Sequence, residues 1–133
     1  MTEQEQIQTF LAGRRFAVVG ASQDREKYGN KVLRAYLQNH RSVVPVHPSA
    51  SEIEGQRAVP DLASLPEPVD GVSIVTPPAV TEKVVQQAVA LGIQHIWMQP
   101  GAESPRAIQL ARESGANVLA GGPCVLVALR YHE

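Results

Sequence analysis

The chain predicts an α/β fold, a mostly parallel sheet that is doubly wound, with helices on both faces. Three observations carry this expectation. Short apolar runs alternate with amphipathic helical runs along all 133 residues, and that spacing gives βαβ units and parallel pairing. The first apolar run, Phe16 to Gly20, closes in a tight Gly20-Ala21-Ser22 turn and leads to a helical run from Gly29 to Asn39. Finally, the apolar runs end in turn-rich segments, which a parallel sheet collects on one edge, where open α/β sheets bind ligands.

Each element has its own signal. Glu3 to Gly13 reads as a leading helix, with Ile7, Phe10 and Leu11 on one stripe and Gly13 as its stop. In the run from Gly29 to Asn39, Val32, Leu33, Tyr36 and Leu37 form the stripe of a helix packed on a sheet. Ser42 to His47 is the second strand, its internal Pro45 removing one ladder donor. Ile53 to Val59 reads as a loop with a brief extended piece at Ala58 and Val59, and Asp61 to Leu65 as a helical turn. Gly71 to Thr76 is a strand stopped by Pro77-Pro78, and a helix follows from Val80 to Leu91. Strand Ile93 to Met98, helix Pro105 to Ser114 and strand Asn117 to Ala120 complete the alternation, with a short helix in the tail from Val125 to Glu133. Together these make a single Rossmann-like domain over residues 1–133, a length sufficient for a hydrophobic core.

Composition excludes several functions. Hydrophobic residues at 44% and charged residues at 19% exclude a disordered chain, and a net charge of -1 gives no basic surface for nucleic acid. No apolar run reaches the roughly 20 residues that cross a bilayer. Cys124 is the one cysteine, so no internal disulfide forms, and the polar, acidic start Met1-Thr2-Glu3 is unlike a secretory leader. A cytoplasmic protein is expected. The four histidines, at 40, 47, 95 and 132, lack metal-ligand spacing.

The Gly20-Ala21-Ser22 turn is a candidate phosphate site, because backbone N–H groups at a helix start lack intrahelical partners and the local dipole favours anions. It is not the dinucleotide fingerprint G-x-G-x-x-G, since Ser22 holds the second glycine position and the next glycine is Gly29. Arg25, Lys27 and Lys31 place three cations where a helix start ordinarily favours acids, a pattern that suits a bound anion or a solvated loop. After the second strand stands His47-Pro48 rather than the acid that holds the ribose in NAD domains, which disfavours NAD. His47 is placed to contact an adenine or a phosphate. Thr76-Pro77-Pro78 suits an apolar wall against a base or an extended arm, and serves equally as a strand stop with a helix-starting proline. Trp97 reads as core. Cys124 has no histidine and acid at a spacing that would make it a nucleophile, so no catalytic residue is expected.

Taken in order, these turns carry a resemblance. Ala17-Val18-Val19-Gly20-Ala21-Ser22 with Lys27 and Gly29 is followed by Val44-Pro45-Val46-His47-Pro48, Val69-Asp70-Gly71-Val72 and Thr76-Pro77-Pro78. Gly92, Trp97-Met98-Gln99-Pro100-Gly101 and Cys124 complete the set. The chain resembles the small stand-alone CoA-binding proteins, relatives of the CoA-binding domain of the succinyl-CoA synthetase α subunit, over roughly residues 5 to 128. Two positions depart from the family pattern: His47 stands where Asn is common, and Gly121-Gly122-Pro123 where charged residues usually precede the cysteine. The resemblance implies a non-catalytic protein that binds coenzyme A or an acyl-CoA at the carboxyl edge of the sheet. It implies that the Gly20-Ala21-Ser22 turn takes the phosphates, and the loop that runs on from it through Arg25, Lys27, Tyr28 and Gly29 is expected to hold them, with Arg25 and Lys27 neutralising charge. His47, Pro48, Thr76, Pro77, Pro78, Gln99, Pro100, Gly101 and Cys124 would line the rest of the groove. The alternatives are an NAD(P) or nucleotide sensor and a regulatory interaction domain. Partners open to such a domain are a second copy of itself or an enzyme that it serves.

Overall fold

The computed structural model describes residues 1–133. In chain order its elements are α1 (Glu3–Leu11), β1 (Arg15–Val19), α2 (Tyr28–Gln38), β2 (Ser42–Val46), β3 (Glu52–Ile53) and β4 (Gln56–Arg57). A 3₁₀ turn (Leu62–Ser64), β5 (Gly71–Ile74), α3 (Pro78–Ala90), β6 (His95–Met98), α4 (Pro105–Glu113), β7 (Asn117–Leu119) and α5 (Val125–Ala128) follow. Five strands form one sheet in the order β2-β1-β5-β6-β7, all parallel. This is the doubly wound fold that the alternation predicts.

Alternation along the central strands explains why both faces are covered. In β1, Ala17 and Val19 point to one core while Phe16 and Val18 point to the other. The first core packs β1, β5 and β6 against α3 and α4 through Val84, Val85, Ala88, Ala107 and Ala111. The second packs β1, β2, β6 and β7 against α1, α2 and α5 through Phe10, Leu33, Tyr36, Trp97 and Val125. Trp97 is fully buried, as expected of a core residue, and its indole N–H donates to the Pro123 carbonyl at 3.0 Å. The one buried pair of hydroxyls, Tyr36 and Ser73, satisfies itself at 2.6 Å. No helix is long and apolar enough to cross a membrane.

Element ends differ from the sequence expectation for identifiable reasons. Helix α3 begins at Pro78 rather than Val80, because Pro77 serves as the N-cap and Pro78 enters the first helical position with its φ already set. Pro45 is tolerated because β2 is an edge strand. The stretch expected as a loop from Ile53 to Val59 contains a β3–β4 hairpin. Its turn has Glu54 at φ 50° and Gly55 at φ 77°, the two positive angles of a type I′ connection.

Winding reverses at β1. From β1 the chain passes through α2 to β2 on one side, and β5 lies on the other. The carboxyl ends of β1 and β5 thus border the crevice where a doubly wound sheet takes its ligand.

Candidate functional site

Two glycines shape this crevice. Gly20 ends β1 at φ 93°, and a Cβ there would lie 2.2 Å from the Val75 carbonyl oxygen. A Cβ on Gly29, in the first turn of α2, would lie 2.0 Å from the Gly20 carbonyl oxygen. Helix α2 therefore rests backbone to backbone on the turn that closes β1, and only glycine permits either approach. Packing alone requires both residues, so neither needs a ligand to account for it.

The start of α2 is open to an anion. Its N-cap residue, Lys27, makes no side-chain cap, and its first turn holds no acid. By contrast, Thr2 and Ser104 cap α1 and α4 with their hydroxyls. The backbone N–H groups of Ala21, Ser22, Tyr28 and Gly29 make no hydrogen bond within the protein. With the Lys27 side chain they border a cleft of about 460 Å³ lined also by Gly20, His47, Val75, Thr76 and Pro77. His47 Nδ1 accepts from the N–H groups of Ser49 and Ala50 at 3.1 and 2.9 Å. These bonds place the ring proton on Nε2, so the imidazole offers the cleft a donor.

Residues that the sequence did not single out hold the loop between Ser22 and Lys27. Ser22 Oγ accepts from the Asp24 N–H and Asp24 Oδ1 from the Glu26 N–H, both at 3.0 Å. Buried Asn30 donates to the Ser22 carbonyl at 2.8 Å and to Glu54 at 3.2 Å. Arg34 donates to Asn30 Oδ1 at 2.7 Å and to the Arg25 carbonyl at 2.8 Å. Gln23 reaches across to the Glu52 carbonyl, so the β3–β4 hairpin clasps the loop from outside. Asn30 and Arg34 sit at i and i+4 in a helix whose apolar stripe is clear. Two polar residues on that buried side were the available signal.

The structure gathers the predicted residues unevenly. Gly20, Ala21, Ser22, Lys27, Tyr28, Gly29, His47, Thr76 and Pro77 share the first cleft. Pro48 lines an adjoining one, with Gly20 and Thr76 between the two and Val80, Lys83 and Gln87 of α3 on its far wall. Gln99 and Cys124 join through Tyr28, whose hydroxyl lies 3.3 Å from Gln99 Oε1 and 2.6 Å from Cys124 Sγ. Burial and the neighbouring thiol push the Tyr28 pKa well above the ordinary tyrosine range, so the phenol stays protonated.

Arg25, Pro78, Pro100 and Gly101 line neither cleft. Arg25 pairs with Glu54 at 3.4 Å, which partly offsets the charge it would bring to a phosphate, and Lys31 pairs with Glu133 at 3.1 Å. The Gln99 N–H bonds the Ile74 carbonyl and the Gly101 N–H bonds Glu103, so neither backbone donor is free.

A doubly wound sheet with an uncapped, cation-bearing helix start at its switch point defines a class of α/β domains whose sheet edge is suited to an anionic group. The particular member of that class follows from similarity. Residues 14–130 match the family model of the CoA binding domain, and the chain belongs to that family. It is similar to the uncharacterized protein YneT of Bacillus subtilis (strain 168), with 27% identity over 80% of this chain and 78% of that protein. A solved structure of a conserved hypothetical protein from Pyrococcus furiosus matches with a TM-score of 0.81 and 37% identity, over 86% of this chain and 98% of that one. An Archaeoglobus fulgidus acetate–CoA ligase (ADP-forming) is 34% identical over 53% of this chain, a region that makes up 10% of the ligase.

Proposed function

We propose that this protein binds coenzyme A or an acyl-CoA, without catalysing a reaction on it, in the crevice between the carboxyl ends of β1 and β5. The observation that carries the reading is the start of α2. Four backbone donors without partners, an unpaired Lys27 and no acid in the first turn make a site for a phosphate group. Family membership names the ligand class. In this reading the diphosphate lies against Ser22, Lys27, Tyr28 and Gly29, while Thr76 and Pro77 wall the groove. His47 offers its Nε2 proton to the ligand, a contact that an acid at the same position would replace with the ribose bond of NAD domains. Arg25 adds only a weak long-range attraction because Glu54 already faces it. The single free thiol, Cys124, fits work in a reducing cytoplasm.

Thermal unfolding in the presence of CoA, acetyl-CoA, NAD, NADP or ATP tests this. A ligand at about 100 times its Kd adds roughly 2.7 kcal/mol, which raises Tm by several degrees. A shift with CoA species alone is the expected result, and a shift with NAD or NADP alone rejects the reading. Replacing Ser22 and Lys27 together with alanine should weaken CoA binding about tenfold or more, since each charge-assisted contact contributes roughly 1.5–3 kcal/mol.

A further inference from the structure

The crevice continues past the phosphate cleft into a slot of about 280 Å³, which shares Gly20 and Thr76 with it. The slot has an apolar wall: Val19 and Val46 at the strand ends, Leu62 of the 3₁₀ turn, and Val80 and Val84 of α3. Val80 is 45% exposed, so this wall presents bare apolar surface. Helix α3 also brings two polar residues to it. Val80, Lys83, Val84 and Gln87 fall at i, i+3, i+4 and i+7, which makes them one stripe facing the slot. Cα–Cβ bonds in a helix tilt toward its N-terminus, and α3 begins at the carboxyl edge of the sheet, directly after Thr76-Pro77. The Lys83 stem therefore leans along the slot toward the phosphate cleft and keeps its ammonium in water.

Lys83 and Gln87 are both exposed, and Lys83 makes no ion pair. The one acid lining the slot, Asp61, is engaged elsewhere: its Oδ1 accepts from the Ser64 N–H and hydroxyl at 2.9 and 2.8 Å and caps the 3₁₀ turn. An unpaired cation beside an apolar slot suits a ligand that is flat and apolar in one part and anionic in the next. One end of CoA has that character. The arm from its diphosphate to its sulfur carries no charge, whereas its nucleoside end joins a flat base to a ribose that bears a 3′-phosphate. A phosphate monoester carries roughly −1.5 to −2 charge near pH 7.

We propose that the slot receives this nucleoside end and that Lys83, with the Gln87 amide one turn further on, binds the 3′-phosphate, so that the site selects CoA over ligands that lack it. Lys83 is then the specificity-determining cation. Lys27 faces the diphosphate, which CoA shares with its 3′-dephospho form and with many other nucleotides. The inference rests on the CoA reading given above.

Calorimetric titration of the whole protein with CoA and with 3′-dephospho-CoA decides it. CoA should bind about tenfold more tightly, the lower end of what a charge-assisted contact contributes. Lys83→Gln should bring the two affinities together by weakening CoA alone, while Lys83→Arg, which keeps the cation, should preserve the preference. The side chain is exposed, so neither substitution disturbs the fold. Lys27→Ala, at the diphosphate, should weaken both ligands and leave their ratio as it was. Equal affinities in the natural protein, which needs no variant to measure, overturn the selection while leaving CoA binding intact. A preference that survives Lys83→Gln also overturns it. Failure of both ligands to bind overturns the CoA reading and this inference together.

Discussion

At the scale of single residues, the β1–α2 turn separates packing from binding. Gly29 sits 2.0 Å, in Cβ terms, from a backbone oxygen that cannot move without displacing β1. Gly29→Ala should therefore destabilise the fold by about 3 kcal/mol, the upper range for forced overpacking, and a thermal melt would register a drop of roughly 10 °C. Lys27 is the converse case. Its side chain is exposed and makes no ion pair, so Lys27→Ala should leave the unfolding free energy within about 0.5 kcal/mol of the original. The same substitution should weaken CoA binding several-fold in a titration. The sequence announced both residues, through a Gly-Ala-Ser turn and cations at a helix start. It could not say which of the cations was free, because Glu54 and Glu133, which engage Arg25 and Lys31, come from distant segments.

At the scale of elements, strands and helices were legible wherever periodicity had room to show. The sheet strands and the longer helices lie within a few residues of their expected positions, and β1 and α2 place the turn where the apolar runs put it. The β3–β4 hairpin was not legible, because strands of two residues cannot display alternation. Its Glu54-Gly55 turn is nonetheless what positions a carboxylate over Asn30. Helix α2 performs a second task through Arg34, which ties the Asn30 amide and the Arg25 carbonyl together and lies over the Tyr131 ring at 5.4 Å. Arg34→Met keeps the buried length and removes these bonds. It leaves buried Asn30 Oδ1 without its donor, so unfolding in urea should show a loss of about 2 kcal/mol, accompanied by weaker ligand binding as the loop loosens.

At the scale of the molecule, two groups at the amino edge of the sheet link stability to pH. Asp70 accepts from the Arg14 and Arg15 N–H groups at 2.7 and 3.0 Å, which hold its carboxyl below the ordinary range. That contribution is present above the unfolded carboxylate pKa and is lost as pH falls through the lower folded value. Burial holds His95 below its ordinary pKa, so the unfolded chain takes up a proton first as pH drops under about 6.5. Stability should then fall in two stages, a shallow decline beginning near pH 6.5 and a steeper one below about pH 4. Melting curves from pH 8 to pH 3 would trace both, and His95→Gln should remove the first. A constant Tm between pH 7 and pH 5 in the natural protein would refute the histidine stage. Sequence reading met Asp70 only within a motif and His95 only as one of four scattered histidines, since the two meet only when β5 and β6 pair.

The unpartnered amides at the ligand edge also make the molecule its own reporter. Ser22 and Tyr28 belong to a well-held turn, yet their N–H groups are tied to nothing in the protein. In deuterated water they should exchange far faster than the surrounding sheet, as bright points in a slow field. Occupancy of the crevice by a phosphate would slow those two positions selectively, so the rate at which they gain deuterium would count bound molecules without a label and without any assumption about which partner the protein serves.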